Sequence, residues 1–383
     1  MTSATTFRIW AGDGRSRGIQ SSDSVLVNEL ADGVLLSSIW SEFQSALSLY
    51  NQQRTAITNL LCYRTVNAAD AVPQATGGER FEEATEYGVP RGIGDIGYLK
   101  LGYSFKDYDL ALRMTWKYLR DATSDQVQTR IARALEADNR LVSGTILNRL
   151  FSNVVRTNEF GHSVYGLYNA DGTVPPAHMG QTFDGTHTHM LTTSSTTLDA
   201  EDVELGLRHI RHHGYGTTQA AKFLLLMNPV DVEACGITSW RAGIAYAAGK
   251  IPKFDFIVSS NAPAYLSNET VHGATPPAEY NGLPVTGSYG SALLVESYFI
   301  PQGYAAIAAS AGPGSDDNVI GFREHINPAY QGLRALPEHW QDYPLIESYL
   351  MRGFGVGVRH RGAAVALQIT TNASYTPPTT ILT

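Results

Sequence analysis

Thr123-Ser-Asp-Gln-Val-Gln-Thr-Arg-Ile-Ala-Arg-Ala-Leu-Glu-Ala-Asp-Asn-Arg-Leu-Val-Ser-Gly-Thr-Ile-Leu-Asn-Arg-Leu-Phe-Ser-Asn153 reads as one long amphipathic helix. Val127, Ile131, Leu135, Val142, Ile146 and Leu150 recur at three- and four-residue spacing, and Ala134, Leu141 and Leu147 widen the stripe. Thr123 and Gln126 have the spacing of a capping box at its start. Arg130, Arg133, Glu136 and Arg140 keep largely to other faces, with Glu136 and Arg140 four apart as a helical ion pair. At about 1.5 Å per residue such a helix reaches roughly 45 Å, well beyond the average of about 11–12 residues. A long helix needs something to lie on.

The segment just before it, Gly77–Trp116, is glycine-punctuated and strand-like, with little apolar core of its own. Arg80–Tyr87 carries Glu82, Glu83 and Glu86, and Gly88–Gly97 is a glycine-rich tip that includes Arg91. Tyr98–Phe105 then returns with the period-two alternation of a half-buried strand, Lys100 on one face and Leu99, Leu101 and Tyr103 on the other. An arm without a core, beside a long helix, predicts a protein made to be assembled.

Upstream, residues 1–22 read as a flexible, slightly basic arm. Ser24–Gln52 reads as a second helix, with Leu26, Leu30, Val34, Leu35, Ile39, Phe43, Leu47 and Tyr50 as its stripe. Ile57–Val66 is a short strand candidate, and Asn67–Gly78 a turn-rich linker. Downstream, Val154–Thr197 is loop-rich and Asp199–His213 is a third helix. Lys222–Met227 is a buried strand ended by Asn228-Pro229, and Val230–Ala248 is helical in part. Phe254–Ser259 and Gly282–Pro301 read as strands and turns. Gly353–Val358 and Ala363–Thr370 read as the two strands of a hairpin joined by Arg359-His-Arg-Gly362.

Composition points the same way. Among 383 residues only 17% are charged, against about 25% in typical soluble domains, while there are 20 Tyr. Charge depletion with Tyr enrichment is the signature of surface hidden against neighbours. A net charge of −8 argues against a protein whose main task is gripping nucleic acid. Two cysteines, Cys62 and Cys235, allow neither a disulfide framework nor a zinc ribbon and fit buried thiols in a reducing cytosol. No signal peptide and no run long enough to span a membrane is present.

The chemical motifs are weak. Gly92-Ile-Gly-Asp-Ile-Gly97 matches the dinucleotide fingerprint in letters, but Pro90 precedes it and a strand follows, so no helix N-terminus is there to hold a phosphate. A hairpin tip is the better reading. His187 and His189 lie in a loop, and His209, His212 and His213 end the third helix. The His209/His213 spacing can place two imidazoles on one metal, but no Glu between them makes a protease signature and no acidic third ligand stands out. Histidines at a helix C-terminus, favoured by the dipole, are the preferred reading. No nucleophile elbow and no Walker loop occurs. An enzyme is not expected, and no catalytic, cofactor or metal residue is assigned.

The order of parts resembles the major capsid protein of tailed double-stranded DNA bacteriophages, the Hong Kong 97-type capsid fold, over roughly residues 23–370. Besides the arm and the long helix, Phe223-Leu-Leu-Leu-Met-Asn-Pro229, Gly282-Leu-Pro-Val285, Tyr298-Phe-Ile-Pro-Gln-Gly303 and Phe354–Ile369 resemble the family's passages between and within domains. The resemblance implies an α+β fold in five parts: an N-terminal arm with helix (1–72), an extended E-loop hairpin (73–116), a peripheral domain with spine helix 123–153 (117–225), an axial domain (226–321), and a return to the peripheral domain with the C-terminal strands (322–383).

It also implies a structural function: self-assembly through pentamers and hexamers into an icosahedral shell enclosing double-stranded phage DNA. Assembly would take place in the host bacterial cytoplasm. Partners would be the chain itself, separate scaffolding, portal and decoration proteins, and packaged DNA contacted non-specifically on the inner face; no membrane and no cofactor is implied. A separate scaffolding protein is expected because the helix near residue 24 leaves no room for a cleavable scaffolding segment. Glu82, Glu83, Glu86, Arg91, Lys100, Arg352, Arg359 and Arg361 are the candidates for inter-subunit contact, and a Lys100–Asn isopeptide link is the less favoured role for that lysine. Two alternatives stand beside this reading: an encapsulin-type nanocompartment enclosing a cargo protein, and a cytosolic metal-dependent enzyme built on the His187–His213 cluster.

Overall fold

The computed structural model describes residues 29–52, 56–74, 83–84, 86–89, 97–218, 221–246, 249–260, 275–337, 345–379 and 381. The chain is mixed α+β. It begins with α1 (Leu36–Gln52), α2 (Ala56–Leu61), β1 (Cys62–Thr65), β2 (Ala69–Gln74), β3 (Gly97–Gly102) and β4 (Lys106–Thr115). Then come α3 (Trp116–Asp121), α4 (Ser124–Phe151), β5 (Arg156–Thr157), β6 (Ser163–Val164), β7 (Met190–Thr192) and α5 (Ala200–Arg211). Next are β8 (Lys222–Met227), α6 (Pro229–Cys235), β9 (Phe256–Val258), β10 (Glu279–Tyr280), β11 (Leu283–Pro284), β12 (Gly287–Tyr289) and β13 (Ala292–Glu296). The last strands are β14 (Tyr304–Ser310), β15 (Ile320–Glu324), β16 (Arg334–Pro337), β17 (Leu345–Val358) and β18 (Ala364–Gln368). Two compact units are built from them: Met1–Gln52, Asp109–Glu136 and Leu333–Met351 in the first, Gln53–Tyr108, Ala137–Gly332 and Arg352–Thr383 in the second.

The second unit is organised on a seven-stranded sheet in the order β7-β18-β14-β8-β13-β12-β9. β8 pairs antiparallel with β14 and parallel with β13. Alternation along β8 divides its side chains between two cores, as a strand covered on both faces requires. Phe223, Leu225 and Met227 join Val203, Leu207 and Ile210 of α5, whereas Leu224 and Leu226 join Ile146, Leu147, Leu150 and Phe151 of α4. α5 can lie this close because Gly206 faces Ile307, where a Cβ would fall 2.6 Å from the Ile307 Cδ1 atom. It starts in a full capping box between Asp199 and Asp202. α6 starts with Asn228 as cap and Pro229 in its first turn, so the Asn-Pro pair that ends the strand also opens the helix.

In the first unit α1 and the N-terminal part of α4 share two apolar clusters. Leu30, Ile39, Leu119, Ala122 and Val127 form one, and Phe43, Leu47, Ala134, Leu333 and Leu350 the other. Asn51 closes the end of α1 by reciprocal bonds with the Leu333 backbone, donating to its carbonyl at 2.8 Å and accepting from its N–H at 2.9 Å. β16 and the start of β17 pair antiparallel beside it.

The long helix is present, at 28 residues. Half of the expected capping box forms: the Thr123 N–H donates to the Gln126 side chain at 3.2 Å. Val127, Val142, Ile146 and Leu150 are buried, and Glu136 and Arg140 are exposed. No described helix is long and apolar enough to cross a membrane.

Four expectations need correction. The helix read over Ser24–Gln52 starts only at Leu36, because Gly33 at φ +79° ends a turn in which Leu30 and Val34 bond one another; residues 24–28 lie outside the described residues. Ile57–Val66 is a helical turn followed by a strand, and the buried Ile57, Leu60 and Leu61 have helical rather than alternating spacing. The Asn67–Gly78 linker contains β2, which pairs with β3 from Ala69↔Gly102 to Gln74↔Gly97. Its Pro73 disguised it, although a proline is tolerated in a strand with a free edge. Finally, β17 and β18 are not a hairpin: β17 pairs with β15 and β16, whereas β18 sits between β7 and β14 in the other sheet.

Candidate functional site: the arm and its seat

The arm belongs to the second unit, running out along β2 and back along β3. Its tip, including Arg91 and residues 92–96, lies outside the described residues, as do Arg80–Glu82. What is described between the two strands is solvent-facing: Tyr87 is 91% exposed and Val89 92%, and Tyr98 at the start of β3 is 67% exposed. Glu83, Glu86 and Lys100 are exposed as well.

The base of the arm is fixed where it crosses β17. Ser104 donates its hydroxyl to the Val356 carbonyl at 2.9 Å and accepts from the Val356 N–H at 3.0 Å. Such close approach is possible because β17 presents glycine at every second position, Gly353, Gly355 and Gly357, while Phe354, Val356 and Val358 enter the core from its opposite face. A Cβ on Gly355 would lie 1.7 Å from the Ser104 carbonyl oxygen, on Gly357 2.5 Å from that of Gly102, and on Gly353 2.5 Å from the Asp107 carboxylate. Gly321 on β15 leaves room for the Tyr103 ring in the same way, at 2.3 Å.

Tyr103 carries the polar side of this seat. Its hydroxyl donates to Asp70 at 2.6 Å and lies 2.5 Å from the Tyr63 hydroxyl. Burial raises both phenols well above their ordinary range, so both stay protonated and serve as hydrogen-bond links. Arg359 stands over the Tyr63 ring at 5.7 Å and reaches Asp70 at 4.0 Å. Arg323 bonds Glu159 at 2.5 Å and donates to the Tyr103 carbonyl at 3.3 Å, with the Phe105 ring 5.2 Å away. The result is a two-stranded arm on a closely packed, hydrogen-bonded base.

No protein-family model matches the chain, and no curated protein does. Among solved structures, a chain from Mycobacterium phage Patience is 36% identical, with TM-score 0.70 over 92% of this chain and 93% of that one. The chain belongs to the phage major capsid proteins. The PhiM1 mature capsid aligns at TM-score 0.48 and 9% identity over 83% of this chain and 87% of that one. The holo-SrpI encapsulin complex from Synechococcus elongatus PCC 7942 aligns at 0.45 and 14% over 88% and 98%.

In this capsid protein the arginines read from sequence as contacts to a neighbour divide into two kinds. Arg359 is 38% exposed and so remains accessible beside the arm base. Arg352 is buried in an ion pair with Asp138 of α4. Arg361 is buried completely: its Nε donates to the Gly166 carbonyl at 2.9 Å, its guanidinium pairs with Asp171 and Thr173, and it lies 4.6 and 4.5 Å from the Tyr165 and Tyr168 ring centres. Both are thus occupied within the subunit. Arg361 holds the short link by which the chain passes from β17 to β18, and no sequence pattern marked it for that task.

Arg149, which sequence reading passed over, closes α4. Its guanidinium donates to the Ser152 and Val154 carbonyls, both at 2.9 Å, where a cation meets the negative end of the helix. Burial lowers its pKa to about 10, which leaves it charged at neutral pH.

The histidines also need correction. They do not simply end a helix at the surface: His187 and His189 from the loop meet His209, His212 and His213 from the end of α5 in one cluster. The rings pack against Phe183 and Tyr168. The sequence offered this group only as the basis of a less favoured alternative, and the structure brings its five rings together.

Proposed function

We propose that this capsid protein builds an icosahedral shell of the Hong Kong 97 type, assembling through pentamers and hexamers around double-stranded phage DNA. In this reading residues 73–116 are the extended E-loop and 123–153 the spine helix, with a peripheral domain over 117–225, an axial domain over 226–321, and residues 322–383 returning to the peripheral domain. The arm lies across the next subunit. The observation that carries the proposal is the arm itself: a bonded base at Ser104 and Val356, and apolar side chains beyond it held in water.

Glu83, Glu86, Lys100 and Arg359 are the described side chains available to a neighbour, and Glu82 and Arg91 belong to the same arm. Exposed ion pairs of this kind contribute about 0–1 kcal/mol each. Many weak copies suit assembly, because a misplaced subunit can leave. Scaffolding, portal and decoration proteins are the further partners of such a shell, and the packaged DNA would meet the inner face without sequence preference. The role is structural rather than enzymatic.

Deleting residues 90–96 tests the arm's part. The variant is expected to keep the unfolding midpoint of the parent and to lose closed particles in sedimentation. Particles of normal size from the deletion variant would remove the arm from the assembly mechanism. Shells that protect a protein cargo instead of DNA would favour a nanocompartment.

A further inference from the structure

A buried histidine is normally satisfied on both nitrogens, and His360 is an example: Nδ1 meets the Tyr215 hydroxyl at 3.2 Å and Nε2 the Asp316 carbonyl at 2.8 Å. The cluster between the loop and α5 is different. The Nε2 atoms of His187, His189 and His213 form a triangle with edges of 3.1, 3.1 and 2.9 Å. His187, His189, His209 and His212 each offer a ring nitrogen within 4.8 Å of the others. Among the described residues, Nδ1 of His209 and Nε2 of His212 are buried without any hydrogen-bond partner.

These nitrogens cannot satisfy one another. A neutral imidazole has one N–H and one lone pair. His189 faces the Ala364 carbonyl with Nδ1 at 2.7 Å, and since a carbonyl only accepts, the proton is on Nδ1 and the lone pair on Nε2. His187 and His213 would both have to donate to that single lone pair while standing 3.1 Å from each other. A ring N–H given to a backbone carbonyl, with the other nitrogen turned inward, is the usual arrangement of a metal-binding histidine. His209 likewise leaves its Nδ1 buried and without a partner.

We propose that this cluster binds one divalent transition-metal cation of the zinc class, with His187 and His189 as ligands and two of His209, His212 and His213 completing a four-coordinate shell. Four-coordinate zinc with Zn–N bonds of about 2.0–2.1 Å has its ligand nitrogens about 3.3 Å apart, close to the triangle's edges. An all-imidazole set suits zinc, copper, nickel or cobalt rather than calcium or magnesium, which take oxygen. The cation would tie the loop before β7 to the end of α5, a structural role within one subunit and independent of how subunits assemble.

The test uses the untagged, full-length chain, since a histidine tag would carry metal of its own. After dialysis against metal-free buffer, about one zinc per chain is expected to remain, and replacement by Co2+ should give the intense visible bands of a four-coordinate site. The double variant His187→Ala/His213→Ala should lower zinc affinity by at least about 100-fold, whereas Asp184→Ala, exposed beside the cluster, should leave it unchanged. Should the double variant not fold, the parent's cobalt spectrum decides. Weak six-coordinate bands, sub-stoichiometric zinc that added Zn2+ does not raise, or undiminished binding by a folded double variant would each overturn the site.

Discussion

Replacing Gly355 by Ala is expected to unseat the arm and cost the second unit about 3 kcal/mol or more. The new Cβ would sit 1.7 Å from the Ser104 carbonyl oxygen, and the obstacle is backbone, which cannot swing aside as a side chain tip can. Relief requires β17 and the arm base to separate, and that breaks the three bonds between Ser104 and Val356. The checks are denaturant unfolding and limited proteolysis, with new cleavage expected near Tyr98–Phe105. Val356→Ala is the control: it removes core volume from the opposite face of the same strand. It should destabilise by about 1–3 kcal/mol without new cleavage in the arm.

Arg361→Ala is the second large effect. Its guanidinium is buried, pairs with the more exposed Asp171, and also satisfies the Gly166 and Leu167 carbonyls. Removing it leaves the buried Gly166 and Leu167 carbonyls without their donor, at about 1–3 kcal/mol for each buried group, and takes the counter-ion from Asp171. Arg361→Lys keeps the charge but not the planar fork, and should recover only part of the loss. Burial alone would raise the Asp171 carboxyl, but its bonds to Thr173 and Arg361 outweigh that and hold it below the usual range. A depressed carboxyl stabilises the fold above its unfolded pKa of about 3.9, and that contribution is lost as pH falls through the folded value. The gap between parent and Arg361→Ala should therefore narrow below about pH 4 in urea titrations.

Periodicity made the regular parts legible. The α4 stripe, the alternating β3 and the capped α5 each carry a local signal that survives in the fold. What escaped was non-local. β2 was hidden by Pro73 because its partner β3 begins 23 positions after Gln74, across the arm. The β17–β18 pair looked like a hairpin because their link is short, yet Arg361 draws that link into a different set of contacts. The alternating glycines of β17 were visible as letters, but only the arm base lying over them explains why side chains are forbidden. The histidines from His187 to His213 were visible as a group, but their spacing did not show that the loop pair and the helix-end trio meet.

Electron cryomicroscopy of the particles formed by the full chain is the most direct test of the capsid reading. It should show closed polyhedral shells with five- and six-subunit clusters, each arm lying as continuous density across an adjacent subunit. Uniform small particles, or shells whose arms fold back on their own subunit, would contradict it.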